Sequence, residues 1–261
     1  MNPDRDTVYF ISDAHFGIHM PGYENRELLF RSLVDRMLSN ATDLFIVGDL
    51  FDFWIEYRFA IRPDYFPVLY DLARLVQAGV RVHYLAGNHD FALGSFLEKR
   101  VGVTVHCDEV NLQIQGKSVH LFHGDGILKK DVGYRILKKL LRNRTCQKLY
   151  KIIHPNQGIA FGIFCSGSSR KYTSRRLRPS MVEEYRMAAR HVLETQGNDL
   201  VVYGHTHHGE LINFGEKAYL NTGAWLVHQN YATLFKGKVS LWKFVQDSEP
   251  EPVAPIDWKR G

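Results

Sequence analysis

Cysteine is scarce in this chain. The three residues, Cys107, Cys146 and Cys165, are widely separated and form no Cys-x-x-Cys pair. That usage argues against a zinc–thiolate knuckle or a disulfide framework and fits a protein kept reduced in the cytoplasm. Long apolar runs are also missing; none approaches the roughly 20 residues needed to cross a bilayer. The N-terminal Asn2-Pro-Asp-Arg-Asp6 leads straight into Thr7-Val-Tyr-Phe-Ile11, a first-strand pattern rather than a cleavable signal core. Internal repeats are absent. Acid is lacking from one stretch: between Lys129 and Arg178 stand fourteen Lys and Arg against a single acid, Asp131. That segment carries +13 in a chain of net charge +5, leaving −8 on the remainder. An acidic body with one strongly basic segment points to an anionic partner, whether lipid headgroup, membrane surface, nucleotide or nucleic acid.

What is present is the composition of an ordinary folded domain, 45% hydrophobic and 23% charged over 261 residues. That length accommodates one α/β core with a sizeable insertion. Val8 to Ile11 is an apolar run ending at Ser12-Asp13. Leu29, Leu33, Val34 and Met37 recur at helical spacing, and Asp43 to Val47 is a buried-type strand closed by Gly48. Pro67 to Ala78 predicts a helix stopped by Gly79, and Val80 to Leu85 the next strand. This β-α-β-α-β rhythm predicts a parallel sheet. Strands then dominate from Val103, with Gln115-Gly-Lys117 as a hairpin turn. After the basic segment come a helix over Pro179 to Thr195, a strand over Leu200 to Tyr203 and four closing strands. The core is therefore expected over residues 1–128 and 179–247, the insertion over 129–178, and a loosely ordered proline-rich tail over 248–261.

Five short blocks carry the chemistry: Asp13-Ala-His15, Gly48-Asp49-Leu-Phe-Asp52, Gly87-Asn88-His89-Asp90, His123-Gly124-Asp125 and Gly204-His205-Thr-His207. Most follow an apolar run that ends in a turn, and ligands of open α/β sheets collect beyond the carboxyl ends of strands. Together they supply seven candidate ligands for two divalent metal ions: Asp13, His15, Asp49, Asn88, His123, His205 and His207. Two cations about 3.5–4 Å apart can clamp a phosphate ester and activate water against it. Carboxylate can bridge such a pair, with Asp49 the candidate, while imidazole and amide oxygen complete each shell without excess charge. Asp13 and His15 lie two apart, so in extended backbone both would face one way; His205 and His207 repeat that spacing. Asp52, Asp90 and Asp125 are expected to hold loops or histidine tautomers rather than metal. His19, His83, His106, His120, His154, His191, His208 and His228 read as capping or surface residues.

In this order, the blocks resemble the complete signature of calcineurin-like metallophosphoesterases, and the resemblance spans Asp13 to His207. It implies an α/β (α+β) four-layer fold, two packed mixed sheets flanked by helices, with the metals at strand ends. It also implies one metal held by Asp13, His15, Asp49 and His207 and a second by Asp49, Asn88, His123 and His205. Asn88 and His89 would be catalytic, His89 touching the scissile phosphate and able to protonate the leaving oxygen.

The insertion begins amphipathic, with Val132, Ile136, Leu137, Leu140 and Leu141 on one face and Lys138, Lys139 and Arg142 around it. Pro155-Asn-Gln-Gly158 reads as a break, Ile159 to Phe164 as a second apolar patch and Ser166 to Lys171 as a loop. A helical lid with an apolar face and a basic rim fits an amphiphilic phosphate substrate and an anionic membrane surface. It lacks the regular basic–aromatic interleaving of nucleic-acid stacking platforms. Within the superfamily, the layout is similar to bacterial UDP-2,3-diacylglucosamine hydrolases of the lipid A pathway. That similarity rests on Gly48-Asp-Leu-Phe-Asp-Phe-Trp54, on Asp131 and Tyr134 following His123-Gly-Asp-Gly126, on the lid, and on Gly223-Ala-Trp225. It implies cleavage of a pyrophosphate to UMP and a diacylglucosamine 1-phosphate (lipid X), usually with Mn²⁺, by a peripheral protein on the inner face of the inner membrane. The oxygen–imidazole donor set equally accepts Fe²⁺, Zn²⁺ or Co²⁺. Asp131 and Tyr134 would contact substrate, and Arg175 or Arg176 a phosphate. The chain departs from the best-known branch at His89, where that branch has arginine, and at His208-Gly209, where it has Arg-Pro. The alternative reading is a metallophosphodiesterase or nuclease acting on another phosphodiester, nucleotide or nucleic acid.

Overall fold

The first sheet is built from strands whose alternate residues serve two different cores. The computed structural model describes residues 5–18, 21, 24–128, 132–173 and 178–258. The chain opens with β1 (Thr7–Ile11), α1 (Arg26–Asn40), β2 (Ala41–Val47), α2 (Phe66–Gln77), β3 (Arg81–Leu85) and β4 (Thr104–His106). The four strands pair in parallel, with Phe10 opposite Phe45 and Ile46 opposite Tyr84. Tyr9, Ile11, Leu44 and Ile46 pack with Leu33, Val34 and Leu72 beneath α1 and α2, whereas Val8, Phe10, Phe45 and Val47 face the second sheet. Burial on both faces is why these strands read as continuous apolar runs.

The chain continues through β5 (Val110–Ile114), β6 (Lys117–Leu121), α3 (Val132–Arg142), α4 (Arg144–Tyr150), α5 (Pro155–Thr173), α6 (Pro179–Thr195) and β7 (Leu200–Tyr203). It closes with β8 (Glu210–Phe214), β9 (Lys217–Asn221), α7 (Trp225–His228), β10 (Asn230–Phe235), β11 (Lys238–Lys243), β12 (Glu251–Val253) and β13 (Ile256–Asp257). Among the described residues, one sheet has the order β12-β11-β10-β1-β2-β3-β4 and the other β13-β8-β9-β7-β6-β5. Leu121, Val202 and Leu220 meet Phe10 and Val47 between the sheets, and Tyr185, Ala189 and Leu193 of α6 cover the outer face of the second. Four layers result, helix–sheet–sheet–helix, as expected for the α/β class.

Three local expectations are corrected. The tail is not loosely ordered where it is described: β12 pairs with β11, β13 pairs in parallel with β8, and the Trp258 and Phe214 rings lie 5.3 Å apart. Pro252 fits there because β12 is an edge strand, where a missing N–H is tolerated. Pro155 starts α5 rather than breaking a helix, proline being suited to a first turn. Ser166 to Lys171 is helical, not a loop. Ser166 is bonded to Asp52 and His89, and tertiary contact of this kind overrides weak propensity.

The described part of the insertion consists of α3, α4 and α5 joined by short turns, and much of its apolar surface is open. Ile136 is 66% exposed, Ile152 79% and Phe164 71%. Lys139, Arg144, Lys148 and Lys151 are exposed as well. Asp131, Arg175, Arg176 and His19 lie outside the described residues.

Candidate metal centre

Each of the five blocks lies just beyond the carboxyl end of a parallel strand. Asp13 follows β1, Asp49 follows β2, Asn88 follows β3, His123 follows β6 and His205 follows β7. Both sheets therefore contribute to one site. The backbone there is not extended as the alternate spacing predicted. Asp13, His15, Asp49, His205 and His207 have φ of 52°, 46°, 53°, 67° and 57°. These are five of the nine non-glycine residues with positive φ among those described. Left-handed backbone disfavours an L side chain by roughly 1–2 kcal/mol, and strain of this kind concentrates where function over-determines the geometry. Gly48, at φ 82°, must stay bare, because a Cβ there would sit 2.3 Å from His123 Nδ1.

The donor atoms gather in two adjoining groups. In the first, His207 Nε2 lies 3.2 Å from Asp13 Oδ1 and 3.3 Å from His15 Nε2. In the second, His123 Nε2 lies 3.0 Å from Asn88 Oδ1, 3.3 Å from His205 Nδ1 and 3.4 Å from Asp49 Oδ2. Asp49 Oδ2 is also 3.9 Å from His15 Nε2, so one oxygen reaches both groups. The other oxygen, Oδ1, accepts the His89 N–H at 2.8 Å. All seven candidate ligands are thus brought together.

Surrounding bonds aim these donors. His123 Nδ1–H donates to the Val47 carbonyl at 2.8 Å, which leaves Nε2 as the free donor atom. Asp13 Oδ2 accepts from Ser12 Oγ and, at 2.9 Å, from the His205 N–H. Ser12 in turn is tied to Thr222 and to the Gly223 carbonyl. Asp90 Oδ1 accepts from Gly87 N–H at 2.7 Å and Asp49 N–H at 3.2 Å, while Tyr84 Oη donates to Oδ2. Asp90 thereby locks the turns carrying Asp49 and Asn88 together.

The residues fit a pair of cations on two grounds. Asp13 Oδ1 is buried with no well-formed hydrogen bond, facing only the His207 imidazole at 3.2 Å, an expensive state that a cation between the two would relieve. The field of the carboxylates also demands positive charge. Burial alone would lower the His123 pKa, yet Asp49, Asp13 and Asp125 push it up to about 10. Burial raises Asp13, but His207 and His123 outweigh it and hold the carboxyl down to about 2. Burial and the neighbouring His123 depress His205 to about 4, the neutral state that a metal-binding imidazole needs.

Two other residues complete the picture. Asp125 Oδ2 accepts from Tyr134 Oη at 2.8 Å and pairs with Lys138 Nζ at 2.9 Å and Arg142 at 3.6 Å. Residues 134, 138 and 142 share one face of α3, so a single buried carboxylate beside His123 fastens the insertion to the core. Ser166 of α5 is the residue that sequence reasoning missed. Its hydroxyl lies 2.7 Å from both His89 Nδ1 and Asp52 Oδ1. The available signal was the spacing Gly158, Gly162, Ser166, small residues at helical intervals of four.

A four-layer fold that presents two Asp–His groups at the strand ends of both sheets defines a metal-dependent hydrolase of phosphoesters. The family model of the calcineurin-like phosphoesterases matches residues 7–209; the chain belongs to that family. It is 30% identical to the UDP-2,3-diacylglucosamine hydrolase of Porphyromonas gingivalis, over 94% of this chain and all of that one. It is 28% identical to the UDP-2,3-diacylglucosamine hydrolase of Aeromonas salmonicida, over 80% of each chain. Among solved structures, an archaeal phosphodiesterase aligns with a TM-score of 0.48 at 13% identity, covering 91% of this chain and 99% of that one. No helix among the described residues is long and apolar enough to cross a membrane.

Proposed function

We propose that the protein hydrolyses the pyrophosphate of UDP-2,3-diacylglucosamine, releasing UMP and a diacylglucosamine 1-phosphate. The observation that carries this reading is the adjacency of the two Asp–His groups to an insertion that leaves apolar and basic side chains exposed together. The relatives named for that reaction support the choice of substrate. One cation would be held by Asp13, His15, Asp49 and His207 and the other by Asp49, Asn88, His123 and His205, with Mn²⁺ the expected metal. When bound, the ions neutralise phosphate charge and lower the pKa of water near phosphorus.

The chain's own groups do the rest. Asn88 positions a phosphate oxygen through its amide. His89 has its Nδ1–H engaged by the Asp52 carbonyl at 2.9 Å, so Nε2 is the nitrogen that meets the leaving oxygen and can deliver a proton to it. Exposed apolar residues of α3, α4 and α5 receive acyl chains, and Lys139, Arg144, Lys148 and Lys151 rest on anionic lipid at the inner face of the inner membrane. Each such cation near the surface contributes about 1 kcal/mol. Tyr134, held by Asp125 at the root of α3, meets the sugar phosphate; Asp131, expected to act with it, lies outside the described residues.

Purified protein loaded with Mn²⁺ is expected to release UMP from UDP-2,3-diacylglucosamine, identified by mass. Turnover no faster than with UDP-glucose would sink the substrate assignment. Steeply salt-dependent binding and cleavage of single-stranded DNA would favour the phosphodiester alternative.

A further inference from the structure

The buried positions of α5 among the described residues are Gly158, Gly162 and Ser166. Intervals of four place them on one helical face. At Gly158 a Cβ would lie 1.9 Å from Tyr57 Oη, and at Gly162 2.3 Å from the Phe53 ring. The helix backbone is therefore pressed directly onto the segment that follows Asp52. The third position delivers a hydroxyl instead of a bare backbone. Ser166, 7% exposed, reaches 2.7 Å from Asp52 Oδ1 and 2.7 Å from His89 Nδ1.

Hydrogen-bond accounting gives this trio a direction. Asp52 Oδ1 is 3.7 Å from His89 Nδ1, too far for a direct bond. An ionised carboxylate only accepts, so Ser166 O–H donates to Asp52 Oδ1. The Asp52 carbonyl, 3.0 Å from the hydroxyl, is the longer of its two acceptors on that residue, and the Ser166 oxygen then accepts the Nδ1–H of His89, shared with the same carbonyl. We infer that Ser166 is a positioning residue: supplied by the insertion, it bridges Asp52 to His89, fixes the ring's tautomer and orientation, and makes the site complete only when α5 is seated on the core. This rests on the reading of His89 as the group that meets the leaving oxygen.

The test is a double-mutant cycle on the full chain loaded with Mn²⁺, with bis-p-nitrophenyl phosphate and the acylated UDP-sugar as separate substrates. Ser166→Ala should lower kcat about tenfold, the scale of losing a residue that orients a reacting one. KM for the small substrate and bound metal should stay within about twofold. In a His89→Asn background the same change should have no further effect, and Ser166→Thr, which keeps the hydroxyl, should recover most of kcat. Gly162→Leu, which lifts α5 from Phe53, should reproduce the Ser166→Ala loss. An equal fall in both backgrounds, or no fall in kcat, overturns the bridge. Absence of UMP release with the cycle intact on the small substrate overturns the substrate reading alone. Full turnover by His89→Asn overturns the role of His89 and the bridge with it.

Discussion

The strand-end site and the α3–α5 insertion are built on opposite plans. In the site the carboxylates are buried and the turns are bonded from two directions: Asp90 ties two turns, Ser12 ties Asp13 to the Thr222 turn, and Val47 aims His123. The insertion leaves large apolar residues in the open and meets the site through two polar anchors, Asp125 at α3 and Ser166 at α5. A rigid, strained frame suits chemistry that needs donors held to fractions of an ångström. An open amphipathic surface suits a partner that brings its own apolar area. The contrast separates reaction from recognition, and the separation can be broken experimentally at each level.

The largest effect should come from the oxygen that spans both groups. Asp49→Ala removes Oδ2 between His15 and His123 and Oδ1 from the His89 N–H. Activity on any phosphodiester should fall by about a thousandfold or more, roughly 4 kcal/mol of barrier, with bound metal by elemental analysis falling below two per chain. Retained turnover would remove Asp49 from the site. Chelation should come next. Ions present at a thousand times their dissociation constant stabilise by about 4 kcal/mol, which for a chain of this size is on the order of 10 °C in thermal midpoint. A midpoint indifferent to chelator would mean that the buried carboxylates are satisfied without cations.

Asp125→Asn attacks the joint between the two regions. It leaves Lys138 and Arg142 without their buried anion while a neutral side chain still accepts from Tyr134. Stability should drop by about 2 kcal/mol, less than the 3–5 kcal/mol typical of breaking a fully buried pair, because both cations are partly exposed. The expected signature is faster proteolysis within residues 132–173 than in the rest of the chain. Uniform susceptibility would show that α3 is not held by this carboxylate.

The two regions also differed in how far the chain could be read. The ligand turns were legible because their chemistry is local: a hydrophobic strand, a glycine or small residue, then Asp, Asn or His. Even so, the left-handed backbone at Asp13 and His15 was invisible, since a two-residue interval looks extended until tertiary bonds such as Asp13 N–H to the Gly48 carbonyl fix the turn. α5 was misread because its buried seam is made of glycine and serine, the reverse of the apolar stripe by which a buried helical face is recognised. The strands in the tail were missed for a related reason. Pro252 suppresses the strand pattern, yet it occupies an edge where its missing donor costs little.

The smallest effect should be the most selective. Ile152 and Phe161 are 79% and 57% exposed on the insertion, away from the polar anchors. If acyl chains cover them, each loses apolar contact when made serine, and full burial of such a side chain is worth about 1.5–3 kcal/mol. Partial cover predicts a rise of about fivefold in KM for a long-chain acylated UDP-sugar with either Ile152→Ser or Phe161→Ser. The two should combine nearly additively if the chains cover the α4–α5 turn and α5 independently. Turnover of bis-p-nitrophenyl phosphate should not change, because among the described residues no hydrogen bond or ring contact joins either side chain to the strand-end site. Equal losses on both substrates would mean that these side chains support the fold of the insertion rather than the partner it binds, and would erase the division between reaction and recognition at its outer edge.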